Sequence, residues 1–362
     1  MLCAAWPNLK GDLASTRRDA AAFLDGLDGI RGAINRRNWF VKWTNIGDAH
    51  SLVGDLNIKK GAFDKATEAW LCALTAFEVA RRLIDEDDPE AEAVSAKVEA
   101  GIQKFGSLGQ KVERLRISAW EQTEFPAYYV PGFGPDLCVP AVICISREEE
   151  SAATLLGRLL PVVTGRGISV LVVSHENVAN QWRGQSETLL SCCLDYLSAR
   201  PDIDGARIGV YGEGLSAVLA TDFAVSDRRV AAAVCDGGLW AWARTLASVG
   251  WMTNTAEFVG EHPVSVRRSR LVRRLKCPVL VTAGGCGPVS LSEAIELQAE
   301  CTAAQIDLEL AIARMARTPA GEVENFVTSD DCSFGWLERK LLTQFGSVCV
   351  VGQDNKILNK EP

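Results

Sequence analysis

Histidine is nearly missing from this chain: of 362 residues only three are histidine, His50, His175 and His262, and none follows His262. Clustered His and carboxylate spacing is absent as well, which excludes a metal centre built on imidazoles, and no metal or cofactor is expected. A C-x-x-C pair is also missing. The twelve cysteines are scattered, several in apolar runs such as Val142–Ile145 and Ala231–Cys235, and Cys192 adjoins Cys193. That is the pattern of small buried hydrophobes in a reducing compartment. No run reaches the roughly eighteen apolar residues of a membrane span, and Met1 to Leu13 lacks the basic start and long apolar run of a leader. A soluble cytoplasmic protein is expected, with no membrane association. Positive charge is not in excess either: a net charge of −8 and a pI near 5.2, with no basic tail, argue against a nucleic-acid partner.

What is present is material for a large core. Apolar residues make up 48% and charged residues 23% of the chain, and the length suits two domains or one large α/β domain with an appendage. Residues 14 to about 110 read as helices, with Ala66, Trp70, Leu71, Leu74, Phe77, Ala80 and Leu83 near helical spacing and Glu90 to Phe105 forming a further segment. Gly61 and the run Asp85–Pro89 punctuate them. From about 112 the texture turns to strands. Val112–Ala119 and Pro126–Val130 read as a hairpin, followed by buried-looking runs at Val139–Ile145, Ser169–Ser174, Arg207–Tyr211, Val230–Cys235, Val279–Ala283 and Asp307–Ala313. Strands alternating with helices predict an α/β fold with a mostly parallel central sheet covered on both faces. The expected organisation is a helical N-terminal cap domain over 1–110, an α/β core over 111–346 and a tail over 347–362. A helical lid insertion at about 238–276, rich in tryptophan, is expected over the carboxyl edge of the sheet, where α/β proteins place ligands.

The segment Ile208–Ala217 carries the most information. A strand runs directly into an Ala- and Leu-rich helix through Gly212-Glu-Gly-Leu-Ser216. In serine hydrolases this turn reads G-x-S-x-G, with the serine at a strained apex. Here Gly214 stands where the serine belongs and Ser216 where the second glycine belongs. Sliding the turn so that Ser216 becomes the nucleophile places the β-branched Val218 where a glycine is wanted, so a serine in the first helical turn is the favoured reading.

Taken together, Trp39 and Trp43, the helix Gly61–Leu83, the strand Pro140–Ile143, the turn Tyr211–Leu215, the Cys277-Pro278 strand entry and Trp336-Leu337 follow one order. That order resembles the α/β-hydrolase fold, and within it the group containing 2,6-dihydroxypseudooxynicotine hydrolase, FrsA-type proteins and fungal hydrolases that shorten polyketide pigment precursors. The resemblance spans about Asn38 to Leu342. It implies a Ser–Asp–His triad in that chain order, and the three positions fall on Gly214, on Gly287 and at about Gly321. The glycine-rich oxyanion turn after the first parallel strand reads Ser146-Arg-Glu-Glu-Glu150 and the next loop reads Ser174-His-Glu-Asn177. Losing one triad member lowers rates by about 10⁴ to 10⁶, so ordinary serine hydrolysis is not expected. The resemblance also implies a homodimer.

Several groups are candidates for the remaining chemistry. His175, just past a strand end, offers acid–base catalysis; Glu213, beside the apex, and Arg147, on the oxyanion loop, complete the catalytic candidates. The Leu215 N–H survives any side-chain loss and suits a carbonyl oxygen or an anion. Ser146, Cys286, Trp240, Trp39 and Trp43 are further ligand-binding candidates, the tryptophans as walls of an apolar pocket. Glu322, Glu324, Asp330 and Asp331 read as a solvated acidic loop, and Arg267–Arg274 as a solvated helix face. The expected partner is a bulky, largely apolar, carbonyl-bearing small molecule. Two functions stay open: a non-hydrolytic enzyme performing cyclisation, C–C bond chemistry or elimination, or an inactive homologue that binds a ligand or partner. Hydrolysis through Ser216 or Cys286 is the third.

Overall fold

The computed structural model describes residues 11–29, 33–85, 88–108, 112–119, 124–133, 138–179, 185–236, 274–284, 291–318 and 321–343. The expected lid with Trp240, and the loop holding Cys286 and Gly287, lie outside the described residues, as does Arg267–Arg273.

Four helices come first: α1 (Leu13–Asp25), α2 (Ala33–Lys59), α3 (Phe63–Arg81) and α4 (Pro89–Ser107). Local chemistry sets their starts. Asp12 caps α1 by accepting from Ser15 N at 2.8 Å, and Asp88 caps α4 just before Pro89, whose missing N–H costs nothing at a first helical position. Helix α3 is buried almost all round, from Ala66 to Ala80, because it lies between the other helices and the core.

An eight-stranded sheet follows in the order β1-β2-β4-β3-β5-β6-β7-β8. Its strands are β1 (Glu113–Ser118), β2 (Glu124–Val130), β3 (Val139–Ile145), β4 (Ser169–Val173), β5 (Ile203–Glu213), β6 (Val230–Asp236), β7 (Val279–Ala283) and β8 (Leu308–Ile312). The β1–β2 and β2–β4 pairs are antiparallel and all other pairs parallel. Helices α5 (Ala152–Val163), α6 (His175–Val178), α7 (Gln185–Ser198), α8 (Ser216–Ser226), α9 (Leu291–Ala303) and α10 (Phe326–Thr343) connect or cover the strands, and β9 (Met315–Thr318) pairs with β10 (Gly321–Glu324) as a separate hairpin.

Alternation along β3 explains the two cores. Val142 and Cys144 join α3, α5 and α10 on one face, while Ile143 and Ile145 join α7 and α8 on the other. The first core also contains Trp43, Trp70 and Phe77, so the N-terminal helices share a hydrophobic interior with the sheet. Cys144, Cys193 and Cys235 are fully buried free thiols in these layers. Among the described residues no helix is long and apolar enough to cross a membrane.

One sequence expectation is overturned. Of the acidic residues near the C-terminus, Glu322 and Asp331 are exposed as expected, but Glu324 ends β10 and Asp330 lies in α10, with 5% and 1% exposure. Asp330 is buried because Arg158, on α5, reaches it at 3.3 Å. Glu324 accepts from the Ser329 hydroxyl at 2.5 Å.

Candidate active site

The sharp turn between β5 and α8 is built by two glycines. A Cβ on Gly212 would stand 2.1 Å from the Ser216 carbonyl oxygen, so no side chain fits while the helix starts this close. Gly214 has φ +62°, a conformation that L side chains rarely adopt, and it lies at the tip of the turn. Its N–H donates to Asp236 O at 2.8 Å, tying the tip to the end of β6. The strained apex is thus present, with a glycine on it.

Ser216 is fully buried. Its hydroxyl donates to Ser146 O at 2.6 Å and lies 2.7 Å from His175 Nδ1. A hydroxyl has one proton, and a carbonyl can only accept, so the network assigns the donor role at the second contact to Nδ1. The neutral imidazole then carries its free lone pair on Nε2. Burial lowers the His175 pKa below the ordinary 6.5, with Glu148 opposing that shift, which leaves the ring neutral at pH 7. Its position is fixed further by its backbone N–H, which donates to Ser146 Oγ at 3.1 Å.

The Leu215 N–H, at the start of α8, donates to Glu148 Oε2 at 3.2 Å. The same carboxylate oxygen lies 3.0 Å from where a Cβ on Gly214 would be. A carboxylate from the β3–α5 loop therefore covers the N–H that would face a ligand oxygen, in the space a nucleophile would fill. Arg147 runs alongside, its Cγ and Cδ 3.6 and 3.7 Å from that same point.

Beneath the turn lies an ionic layer. Glu213 is 5% exposed on its side chain, pairs with Arg158 Nη2 and lies 3.4 Å from Arg147 Nε. Burial pushes its carboxyl up, but Arg158, Arg147 and Arg82 together hold it down at about 2. The Tyr211 hydroxyl is 3.2 Å from Glu213 and 3.4 Å from Asp236. Asp236 has the opposite fate: burial, with Glu324 and Glu213 adding repulsion, raises its pKa well above the usual range.

These positions sort the sequence candidates. Arg147 and Leu215 lie at the apex, while His175 is tied to Ser216 and Ser146. Glu213 faces inward, because two arginines claim it. The Ser146 hydroxyl is spent on Glu150 O, at 2.5 Å, and on the His175 N–H, and the residue is fully buried. Trp43 is fully buried and packs on Phe23 at 5.3 Å, and Trp39 lies on the same ring at 4.8 Å. These tryptophans hold α2 against α1, and Trp43 walls no open pocket. Gly321 begins β10. Sequence reasoning missed two members: Glu148, which nothing distinguishes from its neighbours in a run of three glutamates, and the link from Ser216 to His175.

A sheet in this order, with a glycine-rich turn from its fifth strand into a helix, decides the architecture. This is the α/β-hydrolase fold. The model is similar to the crystal structure of 2,6-dihydroxy-pseudo-oxynicotine hydrolase, with a TM-score of 0.58 and 19% identity over 89% of this chain and 95% of that one. An acylaminoacyl peptidase of Pyrococcus horikoshii superposes with a TM-score of 0.49 and 13% identity, over 67% of this chain and 45% of that one. No family model matches the chain. In sequence it is 30% identical over 166 residues to the uncharacterised protein Rv2307c of Mycobacterium tuberculosis, which covers 42% of this chain and 56% of that protein. The chain thus spans little more than half the length of the curated relatives it matches.

Proposed function

We propose that this α/β-hydrolase scaffold works without a covalent nucleophile, as an acid–base enzyme on a bulky, largely apolar carbonyl compound of aromatic or polyketide type. The observation that carries this reading is the relay from His175 Nδ1 through Ser216 Oγ to Ser146 O. In a hydrolytic dyad the serine gives its proton to the imidazole. Here the serine proton is committed to a carbonyl, and the imidazole is left with a free base at Nε2. A neutral imidazole base beside an N–H donor at a helix start suits removal of a proton next to a ketone, with the developing enolate oxygen held by Leu215 N–H. Cyclisation, elimination or C–C bond chemistry then follows from how the substrate is held. In this reading the triad is lost, Arg147 neutralises charge at the apex, and Glu148 leaves the Leu215 N–H when ligand enters.

One observation favours a second reading. Glu148 satisfies the Leu215 N–H, as expected of a catalytically inactive homologue that serves as a binding or partner protein. Two measurements separate the readings. Intact-mass analysis after treatment with a fluorophosphonate is expected to show no adduct. In D2O, 2-tetralone is expected to exchange its α-protons with the wild-type protein and to fall to the buffer rate with His175→Ala. An adduct at Ser216 would overturn the non-covalent mechanism, and exchange no faster than buffer with the wild type would favour the inactive homologue.

A further inference from the structure

The loop that carries Glu148 over the elbow, the turn from β5 into α8, is held at both ends by different parts of the protein. Arg147–Glu150 form a tight turn closed by the Glu150 N–H, which donates to Arg147 O at 3.1 Å. At one end, Arg147 Nε lies 3.4 Å from Glu213, the last residue of β5. At the other, Glu150 is held twice: its carbonyl accepts from Ser146 Oγ at 2.5 Å, and its carboxylate accepts from Arg81 Nη2 at 3.2 Å. The Glu150 side chain is 1% exposed and that of Arg81 12%. Glu148 and Glu149, between these ends, are exposed.

Arg81 is itself firmly placed. It ends α3, and its guanidinium also donates to both carboxylate oxygens of Glu78 at 2.8 Å. Glu78 is buried and accepts from Arg82 Nε at 2.7 Å as well. The turn beside the elbow is thus fastened to a helix of the N-terminal layer, 69 residues earlier in the chain.

At the tip, Glu148 meets the Leu215 N–H in one exposed contact of 3.2 Å. A single contact of that kind gains less than the backbone freedom lost in ordering one residue. The contact therefore does not hold the loop in place; the loop, fixed by its ends, holds the contact in place. The effective concentration of the carboxylate at the N–H follows from those anchors. We propose that Arg81 is a positioning residue for the elbow: by clamping Glu150, it sets how firmly Glu148 covers the Leu215 N–H. The N-terminal helices then act on this donor without touching it. That Arg81 also governs how readily a carbonyl reaches Leu215 rests on the proposed function; the clamp itself does not.

Hydrogen exchange of the Leu215 amide, followed by NMR in the full chain, tests the clamp. Glu148→Ala supplies the uncovered rate. Arg81→Met and Glu150→Ala each remove the clamp, and both leave Glu78 its bond from Arg82. Each is expected to speed Leu215 exchange by about two- to fivefold, towards the rate in Glu148→Ala. A direct effect of the lost charge would have opposite signs in the two variants, since one removes a cation and the other an anion, whereas loosening has the same sign in both. In the Glu148→Ala background neither substitution is expected to change the rate further. An unchanged rate in Glu150→Ala, shifts of opposite sign in the two variants, or equal acceleration with and without Glu148 would overturn the assignment. Should Arg81→Met not fold, Glu150→Ala with and without Glu148 decides alone. The α-proton exchange of 2-tetralone separates the clamp from the proposed function: Glu150→Ala is expected to lower KM by a similar factor and to leave kcat unchanged. If Leu215 exchange quickens and KM does not move, the clamp stands and the carbonyl reading fails; if KM falls while Leu215 exchange is unchanged, the clamp alone fails.

Discussion

Glu213 and Glu148 lie on opposite sides of one turn, and they show what burial does to the same carboxylate. Glu213 is held from below by Arg158 and Arg147 and kept ionised against its burial. Glu148 is exposed and held from above by one backbone N–H. The first can leave its partners only by abandoning charges inside the protein, whereas the second can exchange its partner for water at little expense. The lower side of the elbow therefore serves as foundation and the upper side is where groups are free to change partners.

The comparison is broken most severely from below. Arg158→Met removes the shared partner of Glu213 and Asp330, and is expected to destabilise the fold by about 3–5 kcal/mol in urea denaturation, because two buried carboxylates lose their compensation. Asp330 gives a pH signature of the same layer. Burial raises its pKa from 3.8 to about 7, Arg158 opposing and Glu213 adding. Folding therefore takes up a proton between these values, so this group's contribution to stability falls as pH rises from about 4 towards 7. Asp330→Asn is expected to flatten that decline, measured as the difference between the wild-type and variant denaturation curves from pH 4 to 8; an unchanged slope would place the proton elsewhere.

At the apex itself the effect is intermediate. Gly214→Ala forces a Cβ onto a residue at φ +62° and to within 3.0 Å of Glu148 Oε2, for an expected loss of about 1–2 kcal/mol. Calorimetric melting measures it, and Glu148→Ala in the same background is expected to recover the part due to the contact. Above the turn, Glu148→Gln is expected to change stability by only a few tenths of a kcal/mol, as for an exposed polar contact. A loss in that variant as large as that of Arg158→Met would erase the distinction between the two sides.

How much of this was legible beforehand follows the same division. The strands were readable because a parallel strand buried on both faces must be apolar throughout, as Val139–Ile145 is. The turn was readable because only glycine permits the approach at Gly212. The burial of Asp330 was not, since Arg158 lies 172 residues away in sequence and nothing local marks the pair. His175 could be placed by its position after β4, but its tautomer depends on Ser216, 41 residues on, and on a carbonyl whose direction only the fold determines. The single sequence signal for Glu148 was a loop lacking the glycines expected of it.

Glu148 has a consequence for molecular selection. Attached through its own loop, it is a competitor present at an effective concentration on the order of millimolar, whatever is dissolved outside. A visiting carbonyl that relies on the Leu215 N–H alone meets an apparent affinity reduced by the fraction of time that group is covered. A compound gripped at a second point loses far less, because its carbonyl then competes from a tether of its own. On the proposed reading, a compound held at more than one point is thereby favoured over one that relies on the Leu215 N–H alone.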